Sequence, residues 1–244
     1  MSPPPVEARD VAYVYPDGHP ALNGVSFVIH HGESVAIIGG NGAGKSTLLR
    51  HLNGVLLPTS GQVRIGDFSV NRDTLAEVRR MVGMIFQDSD DQLFMPTVFD
   101  DVAFGLGHQG LPASDMAQRV EQALTTVGAW HLRERPPYRL SGGEKRAVAI
   151  AGVLAMRPSI LVMDEPSSGL DPAARRRLIR LLTGFEQTKV IATHDLDLVL
   201  DLCSRVLVMN QGVIEADGSP TDIFADAALL AHCQLELPLS YQRR

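Results

Sequence analysis

Nine residues, Gly39-Gly40-Asn41-Gly42-Ala43-Gly44-Lys45-Ser46-Thr47, constrain the folding of this chain more than any other stretch. They fit G-x-x-x-x-G-K-[ST], a pattern whose meaning depends on a strand leading in and a helix leading out. The apolar run Val35-Ala36-Ile37-Ile38 before them reads as a buried parallel strand, and Leu48-Leu49-Arg50-His51-Leu52 after them reads as a helix. Glycines permit the tight turn, so successive N–H groups point inward as an anion-binding nest at a helix N-terminus. In such a loop Lys45 reaches the β and γ phosphates of a nucleoside triphosphate, and the Ser46 hydroxyl ligates Mg²⁺. Residues 39–47 are therefore expected to bind nucleotide.

Composition sets the outer limits. With 244 residues the chain buries a substantial core, and 45% hydrophobic with 20% charged residues is ordinary for a globular protein. No apolar stretch approaches the roughly 18 residues needed to span a bilayer. Met1-Ser2-Pro3-Pro4-Pro5 has neither a basic start nor an apolar run, so no secretory signal is expected there. The chain is expected in the cytoplasm, reaching a membrane only through a partner. A net charge of −6 argues against a nucleic-acid binder, which presents a basic face. The densest basic run, Arg175-Arg176-Arg177, precedes Leu178, Ile179, Leu181 and Leu182 at helical spacing and reads as a solvated helix face. Cys203 and Cys233 lack metal-ligand spacing and read as reduced and structural. His30 and His31, taken as neighbours on a strand, point to opposite faces and do not share an ion.

Short apolar runs alternate with helical patterns, which predicts an α/β fold, a mostly parallel sheet covered by helices. The clearest strands are Val63–Ile65, Gly83–Phe86, Ile160–Met163, Val190–Ala192 and Val206–Met209. Between Gln87 and about Pro158 strands give way to helices, including Met116–Val127 and a long one from Ser141. We expect one domain over residues 1–244: an α/β core of 1–87 and 158–218, an inserted helical subdomain of 88–157, and a C-terminal extension of 219–244. Ser141 and Glu144 fit a capping box, followed by an apolar stripe of Ala147, Val148, Ile150, Ala151 and Leu154. Gly142 and Gly143 cost that helix about 1 kcal/mol each relative to Ala, a cost a plain cap does not require. They bare backbone N–H groups to a close anionic group.

Ile160-Leu161-Val162-Met163 ends in Asp164-Glu165, and adjacent carboxylates at a strand end call for a nearby cation or proton. Asp164 is placed to hold Mg²⁺ on the phosphates, and Glu165 to act as general base on the attacking water. Gln87 offers its amide oxygen to Mg²⁺ and that water, and His194 a hydrogen bond to the γ-phosphate. Both follow strands, at the ends where open α/β sheets bind ligands. Tyr15 is an aromatic candidate for stacking on adenine.

Taken in order, the phosphate loop, Gln87, Leu140-Ser141-Gly142-Gly143-Glu144, Asp164-Glu165, Ser168-Gly169-Leu170-Asp171 and His194 resemble an ATP-binding cassette ATPase over essentially the whole chain. The resemblance implies a P-loop NTPase core, ATP with Mg²⁺, and a dimer with ATP sandwiched between two copies. It places Ser141 and Gly143 on the γ-phosphate bound by the other subunit, Asp171 as the link between sites, Tyr15 on adenine and His194 as the switch histidine. One complete motif set per chain makes a homodimer sufficient. Phe86–Phe94 and Lys145–Met156 are similar to energy-coupling-factor ATPases, which drive uptake of vitamins, cobalt or nickel through integral membrane scaffold and substrate-binding components. Leu235-Glu236-Leu237-Pro238-Leu239 looks more like the cobalt and nickel branch. The chain departs from the family pattern at Gly40, often Pro or Glu, and at Glu144, commonly Gln. A DNA- or ribosome-acting ATPase would bring coiled-coil insertions or two cassettes, and a GTP-binding switch an Asn-Lys-x-Asp motif; neither is present.

Overall fold

The computed structural model describes residues 6–241, so Met1–Pro5 lies outside the described residues. In chain order, β1 (Val6–Val14), β2 (Pro20–Ile29), β3 (Ser34–Ile38), α1 (Lys45–Leu52), β4 (Ser60–Ile65), β5 (Phe68–Ser69), α2 (Leu75–Met81) and β6 (Val82–Ile85) come first. Helices follow: α3 (Val98–Phe104), α4 (Ala113–Thr126) and α5 (Gly142–Ala155). The chain then runs through β7 (Ile160–Asp164), α6 (Pro172–Thr183), β8 (Thr188–Ala192), α7 (Leu196–Leu202), β9 (Arg205–Asn210), β10 (Val213–Gly218), α8 (Pro220–Ala225) and α9 (Ala227–His232). Two compact units result. The first takes Met1–Val82, Ser159–Glu165 and Glu186–Arg244; the second takes Gly83–Pro158 and Pro166–Phe185. Residues 166–185 thus group with the helical part, beyond the 88–157 drawn from sequence.

Within the first unit, β10, β9, β3, β8 and β7 lie side by side in that order. β3 is central, parallel to β8 on one side and β9 on the other, and β7 is parallel to β8. A strand walled on both sides and both faces must be apolar throughout, and Val35, Ala36, Ile37 and Ile38 are all fully buried. The turn at Gln211-Gly212 folds β10 back antiparallel onto β9. Parallel pairing sets the C-terminal ends of β3, β8 and β7 together, and the loops that leave them carry the chemistry.

The same unit holds a second, antiparallel sheet, β2-β1-β4-β5, which the sequence reading did not separate from the parallel one. Its strands alternate buried and exposed positions, and β1 slips register between Ala8 and Val11, where Asp10 has a left-handed φ of 47°. That irregularity breaks any apolar run in β1. His30 and His31 also differ from expectation: both are exposed, in the turn after β2 rather than on the strand. Cys203 and Cys233 are buried free thiols, and burial pushes the Cys203 thiol up to about 12.

The second unit is helical beyond β6. Its core gathers Val98 and Val102 from α3, Val120 and Leu124 from α4, and Val148 and Ala151 from α5, with Leu106, Leu132 and Leu140 from the connections. Each buried Val or Leu among them contributes about 1.5–3 kcal/mol relative to exposure. On α5 the buried set differs from the expected stripe: Ala147 and Leu154 are half-buried, whereas Arg146, Ala149, Val153 and Ala155 are buried. The helix is enclosed on more than one face, so a single amphipathic stripe underdescribes it.

Candidate functional site

The phosphate loop leaves β3 at Gly39 and enters α1 at Lys45. Gly39, Gly42 and Gly44 all take positive φ, at 155°, 78° and 101°. A Cβ on Gly39 would stand 2.2 Å from the Met209 carbonyl oxygen, and one on Gly44 would stand 2.6 Å from that of Ala21. Neither backbone oxygen can move aside, so both positions require glycine on space as well as on φ. Gly42 faces open space, and Asn41 is exposed. Lys45 folds over the loop and donates from Nζ to the carbonyls of Gly39 (2.8 Å) and Gly40 (3.0 Å). Burial lowers its pKa, opposed by the nearby charges of Glu165 and Asp164. An anion arriving in the loop gives this half-buried ammonium a charged partner in place of two carbonyls.

Asp164 ends β7 and Glu165 follows it, both buried. Desolvation raises the Asp164 pKa, the Ser46 hydroxyl bond pulls it down, and Glu165 adds to the rise. Asp164 Oδ1 is buried with no hydrogen-bond partner. An ionised oxygen in that state is costly unless a cation or proton meets it, so Ser46 and Asp164 fit a hard divalent ion with oxygen ligands. Glu165 has a left-handed φ of 46°, and its N–H donates to the Ala192 carbonyl of β8 at 2.8 Å. Its Oε2 accepts from Thr193 Oγ1 and the His194 N–H, each at 3.2 Å, and lies 2.8 Å from His194 Nδ1. The His194 ring is 70% exposed whereas the Glu165 side chain is 10% exposed, so the pair joins a sheltered carboxylate to the surface.

Tyr15 follows β1 and is half-buried; its hydroxyl is 2.9 Å from Thr47 Oγ1, and its ring meets Tyr13 edge-on at 5.0 Å. The first unit therefore brings Tyr15, Gly39–Thr47, Asp164, Glu165 and His194 together. The remaining expected residues, Gln87, Ser141–Glu144 and Asp171, belong to the second unit.

There, Ser141 caps α5 with the expected box: Glu144 N–H donates to Ser141 Oγ at 3.4 Å, and Glu144 Oε2 accepts from Ser141 N–H at 2.8 Å. Glu144 also takes the Ser141 hydroxyl at 2.8 Å, and these bonds lower its pKa. A Cβ on Gly142 would meet nothing within 4 Å, and one on Gly143 only Ala174 Cβ at 3.7 Å, so the helix start is open. Asp171 caps α6, accepting from the N–H groups of Ala173 (2.8 Å) and Ala174 (2.9 Å). Ser141–Glu144, Gly169, Asp171 and Arg177 line one cavity of about 580 Å³.

Gln87 has an exposed side chain, and its carbonyl accepts from Arg146 Nη2 at 2.5 Å, while Phe86 O accepts from Nη1 at 2.6 Å. Gln92 Nε2 donates to Ala149 O at 3.1 Å, and Lys145 Nζ pairs with Asp90 at 2.6 Å. Sequence reasoning assigned no role to Arg146, Gln92 or Thr193. A lone arginine inside an apolar helix is the signal that could have pointed to Arg146; Gln92 and Thr193 carry none.

A model of the family described as ABC transporter matches residues 22–168. The energy-coupling factor transporter ATP-binding protein EcfA of Methanothermobacter thermautotrophicus is 48% identical, over 96% of this chain and 76% of that protein. The solved structure of cbiO1 from Clostridium perfringens, described as part of the ABC transporter complex cbiONQ, is 38% identical with a TM-score of 0.82, covering 100% of this chain and 99% of that one. An ATP-binding cassette solved as a dimer in a post-hydrolysis state with ADP and Pi is 28% identical with a TM-score of 0.81, covering 88% and 98%. This chain accordingly belongs to the ABC transporter family, as an ATP-hydrolysing cassette of the energy-coupling-factor type with a P-loop NTPase fold.

Proposed function

We propose that two copies of this chain bind two ATP molecules, close on them, hydrolyse them and reopen, driving import of cobalt ions through integral membrane partners on the cytoplasmic face. Nickel ions or a vitamin are the alternative cargoes of this type. The observation that carries the dimer is the division of chemistry between the units. The cavity at Ser141–Glu144 and Asp171 offers the open start of α5 to an anion, and its lining includes neither a phosphate loop nor a carboxylate pair like Asp164-Glu165. It fits a phosphate already gripped by another copy. Closure gives the start of α5 a partner it lacks while the copies stand apart, and that differential contact shifts the equilibrium.

In each site Lys45 leaves the carbonyls of Gly39 and Gly40 for the phosphates, and Tyr15 stacks on the base. Glu165 accepts the proton of the attacking water while Thr193 and His194 fix its carboxylate. Ser46 and Asp164, with Gln87 added from its motif, would hold Mg²⁺, which when bound offsets charge on the phosphate oxygens. The segment Asp88–Phe94 passes motion to the membrane scaffold. Supporting this, Phe94 and Phe104, 63% and 48% exposed, meet edge to face at 5.0 Å. They line a cleft of about 220 Å³ with Asp101, a buried residue whose Oδ2 has no hydrogen-bond partner.

Glu165→Gln with saturating ATP and Mg²⁺ is expected to run at twice the 26.4 kDa of one chain in light-scattering chromatography. A single-chain mass, even with the membrane partners present, overturns the proposal.

A further inference from the structure

The C-terminal segment after α9 lies on the outer side of the phosphate loop. Gln234–Leu239 and Gly39–Asn41 line one cleft of about 360 Å³ together with His194 and Asp197. Ser240 N–H donates to Asp197 Oδ1 at 3.2 Å, which ties the end of this segment to the first turn of α7. At its start, a Cβ placed on Gly40 would stand 3.2 Å from Gln234 Oε1 and 3.5 Å from Gln234 Cβ and Cys233 O.

Gln234 is costly where it sits. The N–H of Leu235 donates to Leu230 O at 2.8 Å and that of Gln234 to Ala231 O at 3.2 Å, the paired bonds that close a helix in a Schellman motif. The donor of the second bond takes a left-handed backbone, φ 56° at Gln234, and glycine is the favoured occupant. α4 ends with the same two bonds, Gly128 N–H to Thr125 O at 3.0 Å and Ala129 N–H to Leu124 O at 2.7 Å. There the position is glycine, with φ 74°. α9 keeps a long polar side chain instead, directed at Gly40. A side chain held against its backbone preference is a reason to ask what it does outside the helix.

We propose that Gln234 is a positioning residue for ATP binding: its side chain buttresses Gly39–Gly40 from outside, and so sets the two carbonyls that hold Lys45. A side chain at Gly40 would meet the exposed Gln234 side chain and displace it by a few tenths of an ångström. This rests on the reading of residues 39–47 as the ATP site.

The test uses the full-length chain with Mg-ATP, reading thermal stability, nucleotide affinity and steady-state kinetics. Gln234→Gly relieves the backbone, so its Tm is expected to equal or exceed that of the parent. Its KM for ATP should nevertheless rise about three- to tenfold, more than kcat changes; a merely structural role moves stability and KM together. Gly40→Glu should raise KM alone and lose much of that effect in the Gly40→Glu/Gln234→Gly double variant. Gln234→Glu, of equal size, should raise KM in a salt-dependent way by setting a negative charge beside the loop. Unchanged KM in Gln234→Gly and Gln234→Glu, with independent multiplication in the double variant, overturns the proposal. Lys45→Ala separates the two levels. If it abolishes ATP binding while the Gln234 variants do nothing, only the buttress is lost. If it leaves binding intact, the loop assignment itself has failed.

Discussion

At the scale of single residues, the site stores its chemistry in groups that are uncomfortable without ligand. Asp164 is the clearest. Burial sets its folded pKa above the ordinary 3.8. A raised carboxyl pKa contributes stability below the unfolded value, lost as pH rises through the folded one. Toward neutral pH the ligand-free chain therefore loses this contribution. Asp164→Asn should melt higher than the parent at pH 7 without nucleotide, and the gap should close as pH falls toward about 3.9, the unfolded carboxyl value. The same variant should lose most ATP turnover. A Tm at pH 7 equal to or below that of the parent refutes the argument. Glu165 is a different case, with its carboxylate already partnered by Thr193 and His194. Its replacement by Gln should keep ATP binding while slowing hydrolysis about 10²–10⁴-fold, as for loss of a general base. Phosphate release near the parent rate would remove Glu165 from that role.

At the scale of elements, α5 is where the second unit concentrates its connections. Its first turn presents the Ser141 cap, and one turn further Arg146 holds the carbonyls of Phe86 and Gln87. A movement of the helix start is therefore felt at the segment proposed to face the membrane partner. Arg146→Met keeps the bulk and removes both donors, leaving two part-buried acceptors at a cost below the about 1–3 kcal/mol of a fully buried one. Urea unfolding should show that loss, and the variant should lose stimulation of ATP turnover by membrane partners. Full stability with intact stimulation would detach Arg146 from coupling. How far these elements were readable follows from their surroundings. β3, β7, β8 and β9 are walled by neighbours and give unbroken apolar runs such as Ile160-Leu161-Val162-Met163. β1 reads Val-Glu-Ala-Arg-Asp, because an antiparallel strand with one wet face and a bulge mixes polar residues into the pattern. The candidate site residues were legible where chemistry dictates residue type: glycines at 39 and 44, lysine at 45, the paired carboxylates. Gln234 and Arg146 were not, since their roles arise from contacts far along the chain.

At the scale of the whole molecule, none of the helices among the described residues is long and apolar enough to cross a membrane. The proposed import role therefore needs partners that do. A tagged chain should retain integral membrane proteins in detergent. Cells lacking the chain should lose uptake of labelled cobalt, restored by the parent and not by Glu165→Gln. Restoration of nickel or vitamin uptake with cobalt unaffected would reassign the cargo, and retention of nucleic acid in place of membrane proteins would discard the import role. The connectivity of the parallel sheet has one more outcome, felt before the protein is complete. β3 leaves the ribosome early, yet the strands on either side of it begin only at residues 188 and 205. At ordinary elongation rates that interval is on the order of ten seconds. During it Val35–Ile38 waits with bare edges, so newly made chains should lean on chaperones until translation is nearly done.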